Sequence, residues 1–396
     1  MTKYDFDQVP DRRASDSIKW HAYEADVLPL WVADMDFISP EPVLRALQER
    51  VEHGIFGYPD EIAHTSQPGG PPDLRQVIVE HLAQLYRWQI QLDDVILLPG
   101  VVTGFNLACH ALASPQEAAL VQTPVYPPIL HAAENTGILG QEMELTRGPD
   151  GSYSVDEALF AASFSPQTRL FLLCNPHNPV GKVFTPTELE RMAEICLQKG
   201  VTIVSDEIHC DLVFPGHPHT PIASLAPEIA QNTITLLAPS KTYNIAGLQC
   251  SLAIIQNTEL RRRFQQAKKG LVPWVNLMGV TAARAAYLEG QEWLEQVLVY
   301  LAANRDYLAH AVSQELPGIQ MSPVQGTYLA WLDCRQAGDL GNPYKFFLEK
   351  GRLAFNDGDT FGQGGQGFLR LNFGCPRATL VEAVERMKKA LQGAKF

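Results

Sequence analysis

Short apolar runs alternate with helix-like segments through the middle of this 396-residue chain. Segments such as residues 104–112 and 187–198 place apolar side chains at helical spacing between these runs. This alternation predicts an α/β fold, with a mostly parallel sheet that is covered by helices on both faces. An open sheet of this kind binds its ligands beyond the carboxyl ends of the strands. The predicted strands are residues 95–98, 118–122, 170–174, 202–205, 233–237 and 252–255.

The pattern changes near residue 259 to long helical stretches, which continue through residue 305. Two strand-like segments follow at residues 326–332 and 368–373. This tail predicts a smaller α+β domain. We therefore expect a large domain over residues 40–285 and a small domain formed by residues 1–39 together with 286–396.

Charge and composition exclude several classes of function. Lys and Arg number 31 against 44 Asp and Glu, a net charge of −13, which disfavours binding to nucleic acid or to an anionic membrane surface. No apolar stretch reaches membrane-spanning length and the start lacks a signal-peptide core, so we expect a cytoplasmic protein. The seven cysteines are scattered without zinc-type spacing, and no metal site is predicted.

The clearest chemical signal is a lysine and an aspartate that each follow a predicted strand. Lys241 lies just after the strand at 233–237, and Asp206 directly follows the strand at 202–205. A lysine amine can form a Schiff base with a pyridine aldehyde, and a carboxylate at the ring nitrogen keeps that nitrogen protonated. This is the chemistry of pyridoxal 5'-phosphate, although an isolated lysine after a strand is more often an ordinary surface residue.

Residues after the first two strands could hold the other parts of such a cofactor. Gly100, Val101 and Val102 stand between a strand and a helix-like run, where free backbone N–H groups can bind a phosphate. Tyr126 follows the next strand and could stack on a flat ring, although alone it would be read as a core aromatic residue.

The third and fourth strand ends offer hydrogen-bonding side chains. Asn178 lies in a turn-rich segment at 175–182, and His209 comes three residues after Asp206. Either side chain could reach the phenolate oxygen of the cofactor ring. The ordered series of strand-end residues therefore makes Lys241 a candidate cofactor lysine.

These residues resemble the fold-type I pyridoxal phosphate enzymes of the aspartate aminotransferase superfamily over nearly the whole chain. The shared motifs are Asn-Pro-x-Asn-Pro-x-Gly at 175–181, Ser-Asp-Glu-Ile at 205–208 and Ser-Lys at 240–241. The chain is similar, more narrowly, to the carbon–sulfur lyase branch, the MalY/PatB cystathionine β-lyases. The segments that carry this narrower likeness are residues 31–37, 56–58, 205–209, 240–244 and 370–377.

The resemblance implies a seven-stranded, mostly parallel sheet, a pyridoxal phosphate cofactor and a homodimer with shared active sites. It assigns Lys241, Asp206 and Tyr126 to catalysis. It assigns Gly100, Val101, Val102, Tyr126, Asn178, Asp206, His209, Ser240, Lys241 and the neighbouring subunit's tyrosine at the position of Tyr58 to cofactor binding. Arg370, Ala33 and Asn178 would bind the substrate, with Arg370 pairing with its α-carboxylate.

Two features depart from the family pattern. Ala238 stands where a serine or threonine usually contacts the phosphate, and Gln249 replaces the usual phosphate arginine. Phosphate binding would then depend on the N–H groups of Val101 and Val102 together with Ser240 and Tyr58. The segment 61–72 is longer and richer in Gly and Pro than the family's connection, which could alter substrate choice.

The implied activity is a carbon–sulfur β-lyase that cleaves an L-cysteine S-conjugate to a thiol, pyruvate and ammonia. A transaminase would use the same lysine, aspartate and arginine, and it remains the nearest alternative. His209, where aminotransferases usually carry tyrosine, and the motif that ends in Arg377 favour the lyase by resemblance. A second alternative is a cofactor-bearing regulatory or scaffold protein. The resemblance implies a sulfur amino acid as substrate and does not fix its leaving group.

Overall fold

The structure is a computed structural model that describes residues 4–59 and 72–393. All of the Gly- and Pro-rich segment 61–72 except its last residue lies outside the described residues, as do both ends of the predicted small domain. Among residues 4–59 and 72–393, no helix is long and apolar enough to cross a membrane. The same residues contain no group of three His, Cys, Asp or Glu side chains arranged to hold a metal ion.

Seven strands form the large sheet and confirm the predicted α/β architecture. In chain order they are β1 Val95–Leu98, β2 Ala118–Thr123, β3 Leu139–Glu144, β4 Thr168–Cys174, β5 Thr202–Asp206, β6 Thr233–Leu237 and β7 Ser251–Ile254. Their order across the sheet is β1-β7-β6-β5-β4-β2-β3. The neighbours from β6 to β3 are parallel, whereas β7 pairs antiparallel with both β1 and β6. Strands β1, β2, β4, β5 and β6 therefore end at one edge.

Two strands of this sheet differ from the sequence-based expectation. Strand β3 has no counterpart among the predicted strands, because most of its side chains are exposed and they form no apolar run. Strand β7 was expected within a parallel rhythm and runs antiparallel. The connection from β6 to β7 contains only the one-turn helix Pro239–Thr242 and a short 3-10 turn, with no long helix that crosses the sheet.

Fifteen α-helices are present in the described part of the chain. They are α1 Ile18–His21, α2 Glu41–His53, α3 Leu74–Tyr86, α4 Val101–Leu112, α5 Pro127–Leu130, α6 Ala132–Thr136, α7 Glu157–Ala162, α8 Pro186–Lys199, α9 Pro227–Ala230, α10 Pro239–Thr242, α11 Thr258–Lys268, α12 Leu277–Glu289, α13 Gln291–Glu315, α14 Pro343–Gly351 and α15 Arg377–Gly393. Helix α8 illustrates how local sequence sets the bounds. A capping box between Thr185 and Glu188 begins it, and Gly200 in the left-handed conformation ends it.

A second, antiparallel sheet lies in the C-terminal part of the chain. Its strands are β8 Gln320–Met321, β9 Leu329–Asp333, β10 Asn356–Asp357 and β11 Phe368–Asn372, in the order β8-β9-β11-β10. Side chains from the N-terminal segment, including Leu30 and Phe37, share a buried cluster with Trp293, Leu329 and Leu371. The N-terminal segment thus packs on the C-terminal sheet, and the assignment of residues to two domains stays a prediction.

Candidate active site

A cavity of about 450 Å³ lies beyond the carboxyl ends of the parallel strands. It is lined by ten of the twelve residues that the sequence singled out. These are Ala33, Gly100, Val101, Val102, Tyr126, Asn178, Asp206, His209, Ser240 and Lys241. The two that do not line it are Arg370, which contacts Asn178, and Tyr58, which is 90% exposed and packs edge-on against Trp274.

Lys241 lies in the short helix α10, which Pro239 begins directly after β6. Its Nζ donates a hydrogen bond of 2.7 Å to the carbonyl oxygen of Ala33. Burial and the nearby Arg370 cation lower the pKa of Lys241 to about 8, against the raising effect of Asp34 and Asp206. A substantial fraction of the Lys241 amine is therefore free at pH 8.

Asp206 is the last residue of β5, and its side chain is buried on the floor of the cavity. Burial raises the pKa of Asp206 to about 7, because few groups compensate its charge. The Ile208 N–H donates to its Oδ1 at 3.1 Å and acts in the opposite direction. A cation beside this carboxylate would stabilise its ionised form.

His209 is a buried neutral imidazole. Burial, together with the Lys241 and Arg370 cations, lowers its pKa to about 3. The buried Nδ1 atom has no hydrogen-bond partner among the described residues. A buried polar atom without a partner is costly, and it is satisfied at once if a ligand group occupies the cavity beside it.

The start of α4 forms another wall of the cavity. Gly100 is the N-cap residue in extended conformation, and no side chain caps the first helical N–H groups. A Cβ atom built on Gly100 meets nothing within 4 Å. Uncapped N–H groups at a helix start that face open space suit an anion such as a phosphate.

Arg370 lies in β11, behind the cavity, and its side chain is buried. Its two terminal nitrogens donate to Asn178 Oδ1 at 3.0 Å, to the Trp31 carbonyl at 2.8 Å and to Asn356 Oδ1 at 2.6 Å. The buried Nε atom has no partner among the described residues. Burial lowers the pKa of Arg370 to about 10, which marks an under-compensated cation that suits a carboxylate.

Ala33 belongs to a loop, residues 31–37, that hydrogen bonds from Asn244 and Asn372 hold in place. Asn244 accepts from the Met35 N–H and donates to the carbonyl of Met35. Asn372 donates to the carbonyls of Val32 and Asp34. The loop thereby connects the neighbourhoods of Lys241 and Arg370, a role that the sequence alone did not reveal.

Tyr126 is tied to Asn178 through the backbone. The Tyr126 N–H donates to the Asn178 carbonyl at 3.0 Å, and the ring nitrogens of His177 contact the carbonyls of Pro124 and Cys174. Both strand ends therefore hold their site residues in one rigid unit. Burial raises the pKa of Tyr126, so its phenol is neutral at physiological pH.

Sequence reasoning missed several residues that line the same cavity: Thr103, Cys174, Ile208, Ala246 and Pro273. Most follow the same strand ends within a few positions, so their place along the chain was the available signal. Gln249 also lines the cavity, as its family-like position implied. Asn356 pairs directly with Arg370 across β10 and β11, a contact that only the sheet register discloses.

Comparison with known proteins identifies the family. The model of the family "Aminotransferase class I and II" matches residues 25–387. The cystathionine beta-lyase PatB of Bacillus subtilis is 38% identical over 98% of this chain and 99% of its own length.

Solved structures agree with this assignment. The crystal structure of OvoB superposes with a TM-score of 0.92 at 43% identity, covering 99% of this chain and all of that one. The PLP-bound C-S lyase from Staphylococcus hominis superposes with a TM-score of 0.91 at 29% identity, with the same coverage. This chain has the fold-type I architecture of these enzymes, and it belongs to the aminotransferase class I and II family.

Proposed function

We propose that this protein is a pyridoxal phosphate-dependent carbon–sulfur β-lyase that converts an L-cysteine S-conjugate and water to a thiol, pyruvate and ammonia. The observation that carries the proposal is that Lys241, Asp206 and Asn178 line one cavity, while Arg370 lies behind it and donates a hydrogen bond to Asn178. The similarity to the cystathionine beta-lyase PatB and to the C-S lyase from Staphylococcus hominis supports the lyase over other chemistries of the family.

The residues of the cavity fit the cofactor. The uncapped start of α4 at Gly100 and Ser240 would hold the phosphate, and Tyr126 would cover one face of the ring. Asp206 would pair with the ring nitrogen, whose positive charge would offset the burial of the carboxylate. The unpartnered Nδ1 of His209 offers a group for the ring hydroxyl, beside Asn178.

When bound, pyridoxal phosphate supplies an electron-withdrawing ring that accommodates the electron pair left at the substrate Cα. The protein supplies the base: the Lys241 amine, free in substantial part at pH 8, takes the Cα proton at Nζ.

Substrate binding depends on Arg370. Asn178, Trp31 and Asn356 fix the guanidinium plane, which would present its fork to the α-carboxylate. Loop 31–37, which includes Ala33, closes the same side of the cavity. A neutral His209 beside this site avoids a further cation that would compete for the carboxylate.

We also propose a homodimer in which Tyr58 contributes to the cofactor site of the partner subunit. Tyr58 is 90% exposed and does not line the cavity of its own chain. Ile55 and Phe56, which precede it in the sequence, are also exposed, as are Trp274, which packs on Tyr58, and Val102, which lines the cavity. Apolar groups exposed together on this scale are typical of an interface between subunits.

Incubation of the purified protein with pyridoxal phosphate and L-cystathionine tests the proposal. We expect stoichiometric pyruvate and free thiol, both lost in Lys241→Ala. Amino transfer that requires an added keto acid and releases no thiol would instead identify an aminotransferase. Absence of turnover with any cysteine S-conjugate, in protein that binds the cofactor, would favour the regulatory alternative. The predicted cytoplasmic location stays a prediction.

A further inference from the structure

The carbonyl oxygen of Ala33 accepts two hydrogen bonds at once. Lys241 Nζ donates at 2.7 Å, and the Tyr328 hydroxyl donates at 2.8 Å. Both lone pairs of this buried oxygen are therefore used. Tyr328 is itself fully buried, and its ring packs edge-on against His209 at 6.0 Å between centroids.

The backbone before Tyr328 is held in a costly conformation. Thr327 has φ of 70°, which a β-branched residue rarely adopts. Its N–H donates to the Leu212 carbonyl at 2.6 Å, and its Oγ1 accepts from the Leu329 N–H at 3.1 Å. A strained backbone that neighbouring hydrogen bonds hold in place is characteristic of functional sites. Here it fixes the position of the Tyr328 side chain.

Chemistry at Lys241 requires its amine to leave the Ala33 oxygen. If Lys241 were the only donor, its departure would leave a buried carbonyl without a hydrogen bond, which is unfavourable. The Tyr328 hydroxyl keeps that carbonyl satisfied. It also competes with Lys241 for the Ala33 oxygen, which weakens the hydrogen bond between that oxygen and the Lys241 amine.

We propose that Tyr328 is a positioning residue for Lys241, whose hydroxyl holds the Ala33 carbonyl so that the amine is free to leave it for an aldehyde or a substrate proton. The inference rests on the proposed function for the identity of the aldehyde. It assigns to Tyr328 a part in the reactivity of the lysine, without contact with the reacting atoms.

The electrostatics of the pair agree with this assignment. The Lys241 ammonium form shares its acceptor with a phenol hydrogen, which disfavours that form. Burial and Arg370 already lower the pKa of Lys241 to about 8. Removal of the hydroxyl leaves the ammonium as sole donor to Ala33, so the pKa should rise above that value.

Tyr328→Phe tests the proposal in the full-length protein without cofactor. The rate of pyridoxal phosphate uptake, followed by absorbance across pH, should fall about tenfold at pH 7.5, and its midpoint should move to higher pH. Reductive methylation of Lys241 by formaldehyde, read by mass spectrometry, should show the same shift. The melting temperature should stay near that of the wild type, because Lys241 still satisfies the carbonyl.

Tyr153→Phe is the matched control. It removes a buried hydroxyl that accepts a bond from Trp331 Nε1 at 3.1 Å, outside the cavity lining. This variant should melt lower and yet take up the cofactor like the wild type.

Three outcomes would overturn the role of Tyr328. In the first, Tyr328→Phe takes up the cofactor and is methylated with wild-type rates and pH midpoints. In the second, Tyr328→Phe loses uptake but also melts far below the wild type. In the third, Tyr153→Phe shows an equal defect in uptake. Failure of the wild type itself to take up pyridoxal phosphate would count against the proposed function, and the methylation comparison would still decide the role of Tyr328.

Discussion

Asp206 shows at the scale of one residue how a functional site costs stability. Burial raises its pKa to about 7, so the folded protein retains a proton there that the unfolded chain has lost. The contribution of Asp206 to the free energy of unfolding therefore falls as pH rises from about 4, its usual value, to about 7, and then levels.

Asp206→Asn should raise the melting temperature of the cofactor-free protein, and the gain should be larger at pH 8 than at pH 5. Asparagine cannot ionise, and its side-chain oxygen can still accept from the Ile208 N–H. The increase in the free energy of unfolding caused by Asp206→Asn should be roughly 2 to 3 kcal/mol larger at pH 8 than at pH 5, because the wild-type protein loses stability over the two pH units from 5 to 7. Thermal melts at the two pH values measure it; an equal gain at both would contradict the buried charge as the cause. Lyase activity should be lost.

Most residues that the sequence singled out line the candidate cavity, because they follow predicted strands that end at the same edge of the sheet. A lysine, an aspartate and an asparagine after buried strands stand out from their apolar surroundings. The partners of Arg370 were not predictable in this way, since Asn356 and the Trp31 carbonyl reach it through sheet register and loop path. The roles of all these residues remain proposals.

At the scale of elements, the strongest inference concerns the start of α4. Apolar runs predicted six of the seven strands to within about two residues, and the strand-to-helix turn at Gly100 followed from them. Strand β3 escaped prediction because it lies at the edge of the sheet with much of its surface exposed. The direction of β7 was not predicted, because an apolar run indicates a strand but not whether that strand runs parallel or antiparallel to its neighbours.

Position 249, where the family usually has an arginine, provides a test of phosphate binding at the start of α4. Gln249 lines the cavity together with Gly100, Val101 and Val102. In Gln249→Arg, a cation near the start of α4 should add a charge-assisted bond to the phosphate and tighten pyridoxal phosphate binding about tenfold or more. Gln249→Met, of similar length and without charge, is the control. Equal dissociation constants for the arginine and methionine variants would show that the phosphate lies elsewhere.

For the whole molecule, the proposed homodimer would complete each active site with Tyr58 of the second chain. Residues 55–58 carry exposed apolar side chains, and Tyr58 does not reach the cavity of its own chain. No feature of the sequence alone distinguishes this segment from an ordinary turn. The expectation that two subunits share each active site comes from the family resemblance.

A mixture of two defective variants tests shared sites directly. Lys241→Ala and Tyr58→Ala should each have low activity alone. After unfolding and refolding together in equal amounts, about half of the dimers would be mixed, each with one native site, so about a quarter of wild-type activity should return if subunits pair by symmetry. Recovery no greater than the sum of the separate variants would mean that Tyr58 acts within its own chain or not at all.

We expect Lys241 to bind the aldehyde of pyridoxal phosphate through its Nζ atom. Borohydride reduction of the protein with bound cofactor, followed by proteolysis and mass spectrometry, measures where the cofactor is attached. The account predicts one stable adduct per chain, on the peptide that contains Lys241, with loss of the visible absorbance band. An adduct on another lysine, or no adduct in protein saturated with pyridoxal phosphate, would contradict it.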